Sequence, residues 1–173
     1  MAPKPLPSPE VLRQLLRYDA DTGVLYWRVR EDDSSWSKRL AGKPALHCKN
    51  SHGYRSGAVM GCRVKAHRAV WAIINGRWPI AEIDHVNGDR GDNRIENLRD
   101  VSRQQNAMNR HASFGSSQYK GVKRTRAGKW CAVIKNGPKQ TQIGTYLTEC
   151  EAAQAYNAAA LAAFGKFAKL NSV

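Results

Sequence analysis

Between Val101 and Thr148 the sequence has no Asp or Glu at all. Arg103, Arg110, Lys120, Lys123, Arg124, Arg126, Lys129, Lys135 and Lys139 all fall in that span. Over the whole chain 28 Lys plus Arg stand against 14 acids, a formal charge of +14. Such an excess points to a polyanionic partner. There is also no Cys-x-x-Cys pair. Cys48, Cys62, Cys131 and Cys150 are widely and irregularly spaced, which favours reduced thiols over a disulfide framework. His47, Cys48, His52 and Cys62 make a poor zinc set, because His47 and Cys48 are adjacent where structural zinc sites present spaced ligand pairs. No apolar run approaches membrane-spanning length, and residues 1–9 are Pro-rich without the apolar core of a signal peptide. The expectation is a cytoplasmic protein with no membrane partner and no small-molecule substrate.

What is present begins with Ser8-Pro9-Glu10, able to cap and start a helix with Val11, Leu12, Leu15 and Leu16 at helical spacing. Tyr18-Asp19-Ala20-Asp21-Thr22-Gly23 reads as a turn and Val24 to Trp27 as a strand, together a small docking lobe that buries Leu25 and Trp27. Residues 31–49 are polar and irregular, so a loop is expected there. A hairpin over 54–66, with Cys62 packed inside it, precedes a helix from His67 to Asn75 that carries Val70, Trp71, Ile73 and Ile74 and ends at Gly76. On that helix His67 is read as a residue orienting it, and Arg68 as either a phosphate contact or part of a solvated face.

The chain is organised around 83–106. A short apolar strand (Ile80, Ile83) reaches Asp84 and His85, then turns through a loop rich in Gly, Asn and Asp. It returns as a second strand around Leu98 and enters a polar helix at Ser102, a favoured N-cap residue. Strand, loop, strand and helix would gather Asp84, His85, Asn97 and Asn106. Adjacent strand residues point to opposite faces, so Asp84 and His85 can share one phosphate only where the strand ends or bends. Asn87, Asp89, Asp92 and Asn93 read as turn chemistry, since the Glu that a calcium loop needs is not at the required spacing.

Asp84-His85, with Asn97 twelve positions after the histidine and Asn106 nine further on, resembles the metal-finger core of HNH endonucleases. The similarity is to the phage and intron-encoded branch, whose last motif letter is Asn. Gly53-Tyr54, Val59 to Val64 and His67-Arg68-Ala69-Val70-Trp71 resemble that branch too, as does the opening Tyr-Asp-x-x-Thr-Gly-x-Leu. Within the resemblance, His85 is the base that takes a proton from water, its ordinary pKa lying near neutrality. Asp84 and the Asn106 amide oxygen are hard ligands suited to Mg²⁺ or Mn²⁺ rather than zinc. Asn97 is implied to hydrogen-bond across the loop and hold the His85 segment. One metal site cuts one strand per visit, so nicking is the default.

After a linker over 113–117 come three short strand segments, Tyr119 to Arg124, Gly128 to Lys135 and Gln142 to Tyr146, joined by turns that carry Gly. Thr148-Glu149-Cys150-Glu151 is a capping box opening an Ala-rich helix closed by Gly165, with Ala152, Ala155, Tyr156, Ala159, Ala160 and Ala163 on one face. Tyr119, Gly121-Val122, Trp130, Ala132, Ile134, Gly144-Thr145-Tyr146, Ala155-Tyr156 and Leu170-Asn171 make this module similar to the plant ethylene-response (APETALA-type) DNA-binding domain. The resemblance implies a sheet in the major groove, with Lys123, Arg124, Arg126 and Lys135 as contacts. Lys120, Lys129, Arg103 and Arg110 join them from the acid-free span. Val133, Gln140 and Gln142 depart from the plant pattern, so sequence preference does not transfer.

The expected fold class is α+β, a ββα-metal finger plus a small three-stranded antiparallel sheet packed on one helix. The expected division is an N-terminal lobe over 1–50, the nuclease domain over 51–112, the linker, and the DNA-binding domain over 118–173. The reading is a metal-dependent endonuclease acting on double-stranded DNA in a bacterial host, phage or prophage encoded, with monomer and dimer both open. A non-catalytic DNA-binding regulator that keeps the finger as scaffold is the alternative, and a zinc-stabilised RNA-binding protein a third.

Overall fold

A computed structural model of the chain describes residues 4–29, 34–109 and 115–173, apart from the side chains of Trp36 and Ser37. Arg110 and the first two linker positions lie outside the described residues. The chain forms two compact units, Met1–Val101 and Ser102–Val173. Both mix helices with small antiparallel sheets, an α+β architecture.

In the first unit, helix α1 (Pro9–Leu15) starts where the Ser8 hydroxyl accepts from the Val11 N–H. The helix stops one residue short of the apolar spacing, because Leu16 opens strand β1 (Leu16–Asp19), which pairs antiparallel with β2 (Val24–Trp27). The stretch read as a loop holds helix α2 (Ser35–Leu40) and two short strands, β3 (Pro44–Ala45) and β4 (Cys48–Lys49). β4 joins the hairpin of β5 (Arg55–Val59) and β6 (Cys62–Lys65). Helix α3 (Ala66–Asn75) follows directly and supplies Ala69, Val70, Ala72 and Ile73 to the core. They meet Leu12, Leu16, Leu25, Trp27 and Val59 in one cluster, so residues 1–50 share their core with the hairpin and α3. Burying each large aliphatic side chain there stabilises by about 1.5–3 kcal/mol.

Strands β7 (Glu82–His85) and β8 (Leu98–Val101) pair antiparallel, with Asp84 opposite Arg99 and His85 opposite Leu98. Ile80 is not part of β7 and is 84% exposed. The lead-in is held by polar bonds instead. The Asp100 carboxylate accepts from the Ile80 and Ala81 N–H groups at 2.9 and 3.1 Å. Arg68 donates to the Ala81 and Pro79 carbonyls. Arg68 is thus a brace for β7.

The second unit opens with α4 (Arg103–Met108), whose Ser102 N-cap forms a reciprocal capping box with Gln105. Strands β9 (Val122–Arg124), β10 (Trp130–Asn136) and β11 (Lys139–Tyr146) form an antiparallel sheet with β10 central. Helix α5 (Glu149–Phe164) begins at the expected capping box and buries Ala152, Ala153, Tyr156, Ala160 and Phe164. Ala163, assigned to that face by periodicity, is exposed, and Phe164 takes the inward position. The helix sits so close that a Cβ on Gly121, at φ +74°, would lie 2.1 Å from the Tyr156 ring. Asn171 closes the module, accepting from the Lys120 N–H at 2.7 Å and donating to its carbonyl at 3.0 Å.

Candidate active site

Asp84 and His85 end β7 and are 6% and 3% exposed. Alternation along the strand sends them to opposite faces. The Asp84 carboxylate meets its cross-strand neighbour Arg99, with Oδ2 accepting from Nη2 at 2.6 Å and Nε at 2.8 Å. The His85 ring lies edge-on to His67 at 5.2 Å and tilted against Tyr54 at 6.0 Å between centroids.

The loop after His85 is knotted by its own polar side chains. Asn87 Oδ1 accepts from the Asp89 N–H and Asp89 Oδ1 from the Gly91 N–H, both at 2.8 Å. Asp92 accepts from Arg94 Nη2 at 2.7 Å and Nε at 2.9 Å, and Arg94 holds its carboxyl down to about 2. Asn97 spans the loop: its Oδ1 accepts from the Asn87 N–H and its Nδ2 donates to the Asp92 carbonyl, each at 2.9 Å. The Val86 N–H donates to the Asn97 carbonyl at 2.9 Å. Five polar side chains are thereby spent on one turn, and the two strand ends are fixed side by side.

Asn93 is the residue that turn chemistry does not explain. It is 2% exposed, and its Oδ1 lies 3.2 Å from His85 Nε2. An amide oxygen only accepts, so this contact is a hydrogen bond in the tautomer that carries its hydrogen on Nε2. Burial is the largest influence on His85 and lowers its pKa, opposed by the Asn93 hydrogen bond and by the charge of Asp84. The imidazole is therefore neutral at physiological pH, as a proton acceptor must be. Its neighbour His67 is held to about 3, chiefly by burial and then by His85, Lys65 and Arg68. Lys65 and Arg90 place their cations 5.1 and 5.0 Å from the centre of the same Tyr54 ring. Two cations therefore stand over the ring that packs against His85.

Asp84 and Asn106 offer carboxylate and amide oxygens, a donor set that fits Mg²⁺ or Mn²⁺. Asp84 already faces a cation, the Arg99 guanidinium. Among the described residues no group of three or more His, Cys, Asp or Glu is placed to hold a metal ion. Asn106 belongs to α4 in the second unit and Asp84 to the first.

In the second unit the sheet sorts the expected DNA contacts. Val122 and Ala132 face α5, so Lys123, Cys131, Val133 and Lys135 face away from it, beside Gln140 and Gln142. Arg124 lies on the other face, its guanidinium 5.9 Å from the Trp130 ring centre. Arg126 and Lys129 are exposed in the β9–β10 turn. Arg103, Lys120 and Lys135 line one cavity of about 740 Å³. Lys120 is lowered to about 8 by burial and by Lys169, and its ammonium donates to the Met108 carbonyl. Among the described residues no helix is long and apolar enough to cross a membrane.

Residues 64–108 match the HNH endonuclease family model. The match runs from β6 to α4 and includes Asp84, His85, Asn93, Asn97 and Asn106. A protein of Acanthamoeba polyphaga mimivirus described as an uncharacterized HNH endonuclease is 35% identical over 114 residues, which cover 64% of this chain and 59% of that protein. Dehydration-responsive element-binding protein 2C of Arabidopsis thaliana is 42% identical over 59 residues, 33% of this chain and 17% of that protein. The chain thus spans about three-fifths of the viral relative and under a fifth of the plant one. No solved structure matches it.

Proposed function

We propose that the chain is a metal-dependent endonuclease that hydrolyses phosphodiester bonds in duplex DNA, nicking one strand per event, with its basic C-terminal module positioning it on the duplex. The observation that carries this reading is the Asp84-His85 pair at the end of β7, with a neutral imidazole oriented by Asn93 inside the segment that matches HNH endonucleases. His85 Nδ1 takes the proton of the attacking water. Asn93 fixes the ring, and Asn97 holds the strand ends on which the ring is mounted. Asp84 and Asn106 would hold Mg²⁺ or Mn²⁺, which when bound polarises the scissile phosphate and neutralises the leaving 3′ oxygen. Lys120, Lys123, Lys129, Lys135, Arg103, Arg124 and Arg126 supply phosphate affinity that falls with salt, and side chains on the outer sheet face supply any base preference. Arg110 joins this set from the basic span. A cytoplasmic host cell and a phage or prophage source belong to the same reading.

A second reading, a DNA-binding regulator that keeps the finger as scaffold, draws on two observations. The His85 ring is 3% exposed, and Asp84 is engaged by Arg99. Supercoiled plasmid incubated with Mg²⁺, Mn²⁺ or chelator separates the two. Relaxed circles with metal from the wild type, and none from His85→Ala, are the expected result. Intact supercoiled plasmid under every metal condition, with DNA still shifted on a gel, leaves the regulator.

A further inference from the structure

The Tyr18-to-Gly23 stretch, which fold reasoning assigns only to a docking lobe, meets the active-site loop at two points. The Tyr18 hydroxyl accepts from the Ile95 N–H at 2.9 Å and donates to the Asn93 carbonyl at 3.4 Å. It therefore grips the backbone on both sides of Arg94. At the tip of the same hairpin Gly23, at φ +69°, lies flush on that backbone. A Cβ there would stand 2.5 Å from the Arg94 nitrogen and 2.7 Å from the Asn93 carbonyl carbon. No residue with a side chain fits. The turn that brings Gly23 there is built by Asp19, whose Oδ1 accepts from the Asp21 and Thr22 N–H groups, while its carbonyl accepts from the Gly23 N–H at 2.9 Å.

Three residues of the Tyr-Asp-x-x-Thr-Gly stretch thus have a task at the loop. Asp19 shapes the turn, Gly23 permits the close approach, and Tyr18 makes the bonds. What they hold is Asn93, whose side chain stands 3.2 Å from His85 Nε2. We infer that the β1–β2 hairpin is a positioning element for the nuclease reaction: Tyr18 and Gly23 fix the Asn93 backbone so that its amide holds the His85 ring with Nδ1 directed to the reacting water. This rests on the nuclease reading above. Neither Tyr18 nor Gly23 touches the reacting atoms, so their effect passes through Asn93.

The test uses the full chain carrying Tyr18→Phe, which removes both hydroxyl bonds and keeps the packed ring. Tyr26→Phe, in the partner strand of the same hairpin, is the control. Nicking of supercoiled plasmid with Mg²⁺ is measured as kcat and KM per folded molecule, and the His85 ring nitrogens are followed by ¹⁵N NMR. The expected result for Tyr18→Phe is a kcat about 10-fold lower at unchanged KM, a fraction of what a positioned base contributes. Its His85 nitrogen signals should move from the Nε2–H pattern toward a mixture of tautomers. Tyr26→Phe should match the wild type in both readouts. A Tyr18→Phe protein with wild-type kcat and an unchanged ring spectrum overturns the inference, as does a loss accounted for entirely by unfolded protein. His85→Ala keeps the two readings apart. If that variant nicks like the wild type, the nuclease reading falls, while a changed ring spectrum in Tyr18→Phe still shows the hairpin holding the imidazole.

Discussion

Replacing Asp84 alone would mix two effects that a double replacement separates. The Asp84 carboxylate is met by Arg99 at 2.6 and 2.8 Å, and the two side chains are 7% and 17% exposed. Asp84→Ala strands a guanidinium with little access to water, and breaking such a pair costs about 3–5 kcal/mol. That is a large share of the roughly 5–15 kcal/mol that holds a small domain together. Lost nicking in the single variant would therefore report unfolding as much as chemistry. Asp84→Asn combined with Arg99→Gln leaves two neutral amides facing each other across β7 and β8. Their mutual hydrogen bond should return stability to within about 1–2 kcal/mol of the wild type. The anionic oxygen ligand does not return. Nicking should stay at least about 100-fold down, or about 2.7 kcal/mol of barrier, at every Mg²⁺ concentration. Urea unfolding followed by circular dichroism and plasmid nicking, run on the same preparations, give the two quantities side by side. A double variant that recovers stability and nicking together would show that Asp84 serves only as the partner of Arg99.

Three further outcomes are expected. Burial lowers His85 from its ordinary 6.5, so nicking should hold across neutral pH and fall only below pH 6.5 as the imidazole protonates; an acid limb centred above 6.5 in a rate profile contradicts this. The unfolded chain takes a proton on His67 at 6.5 and the folded one only at about 3. Its contribution to stability is thus complete above 6.5 and shrinks as pH falls, by about 3 kcal/mol on reaching pH 4. His67→Phe should flatten that part of the slope in urea unfolding against pH. In gel-shift titrations, Lys123→Ala and Lys135→Ala should each weaken DNA binding and reduce the slope of log K against log salt by about 1; an unchanged slope removes that lysine from the contact set.

The strand–loop–strand over 82–101 was legible because its ends are apolar and its middle is Gly, Asn and Asp, residues with few other uses. The three strands and capped helix of the second unit were legible for the same local reasons. The lead-in to β7 was not. Ile80 looks like a strand residue, yet its backbone N–H is taken by Asp100, a partner twenty positions away. The helix α1 boundary failed by one residue, since Leu16 satisfies the helical spacing and the strand alike, and the core accepts it in either form. At the site, types and spacings singled out Asp84, His85, Asn97 and Asn106. Asn93 was hidden by its surroundings: in a run of loop Asn and Asp, only the tertiary position of His85 tells the one that faces inward from those that turn the chain. Arg99 was hidden because cross-strand partnership depends on register.

The close seat of Gly23 on the 93–94 backbone bears on how this protein can be cut apart. A fragment beginning at residue 51 would contain every residue of the nuclease motif and still lack the ledge on which its loop rests. Grafting the motif onto another scaffold would therefore have to carry the first thirty residues along, or supply a different buttress of the same contour.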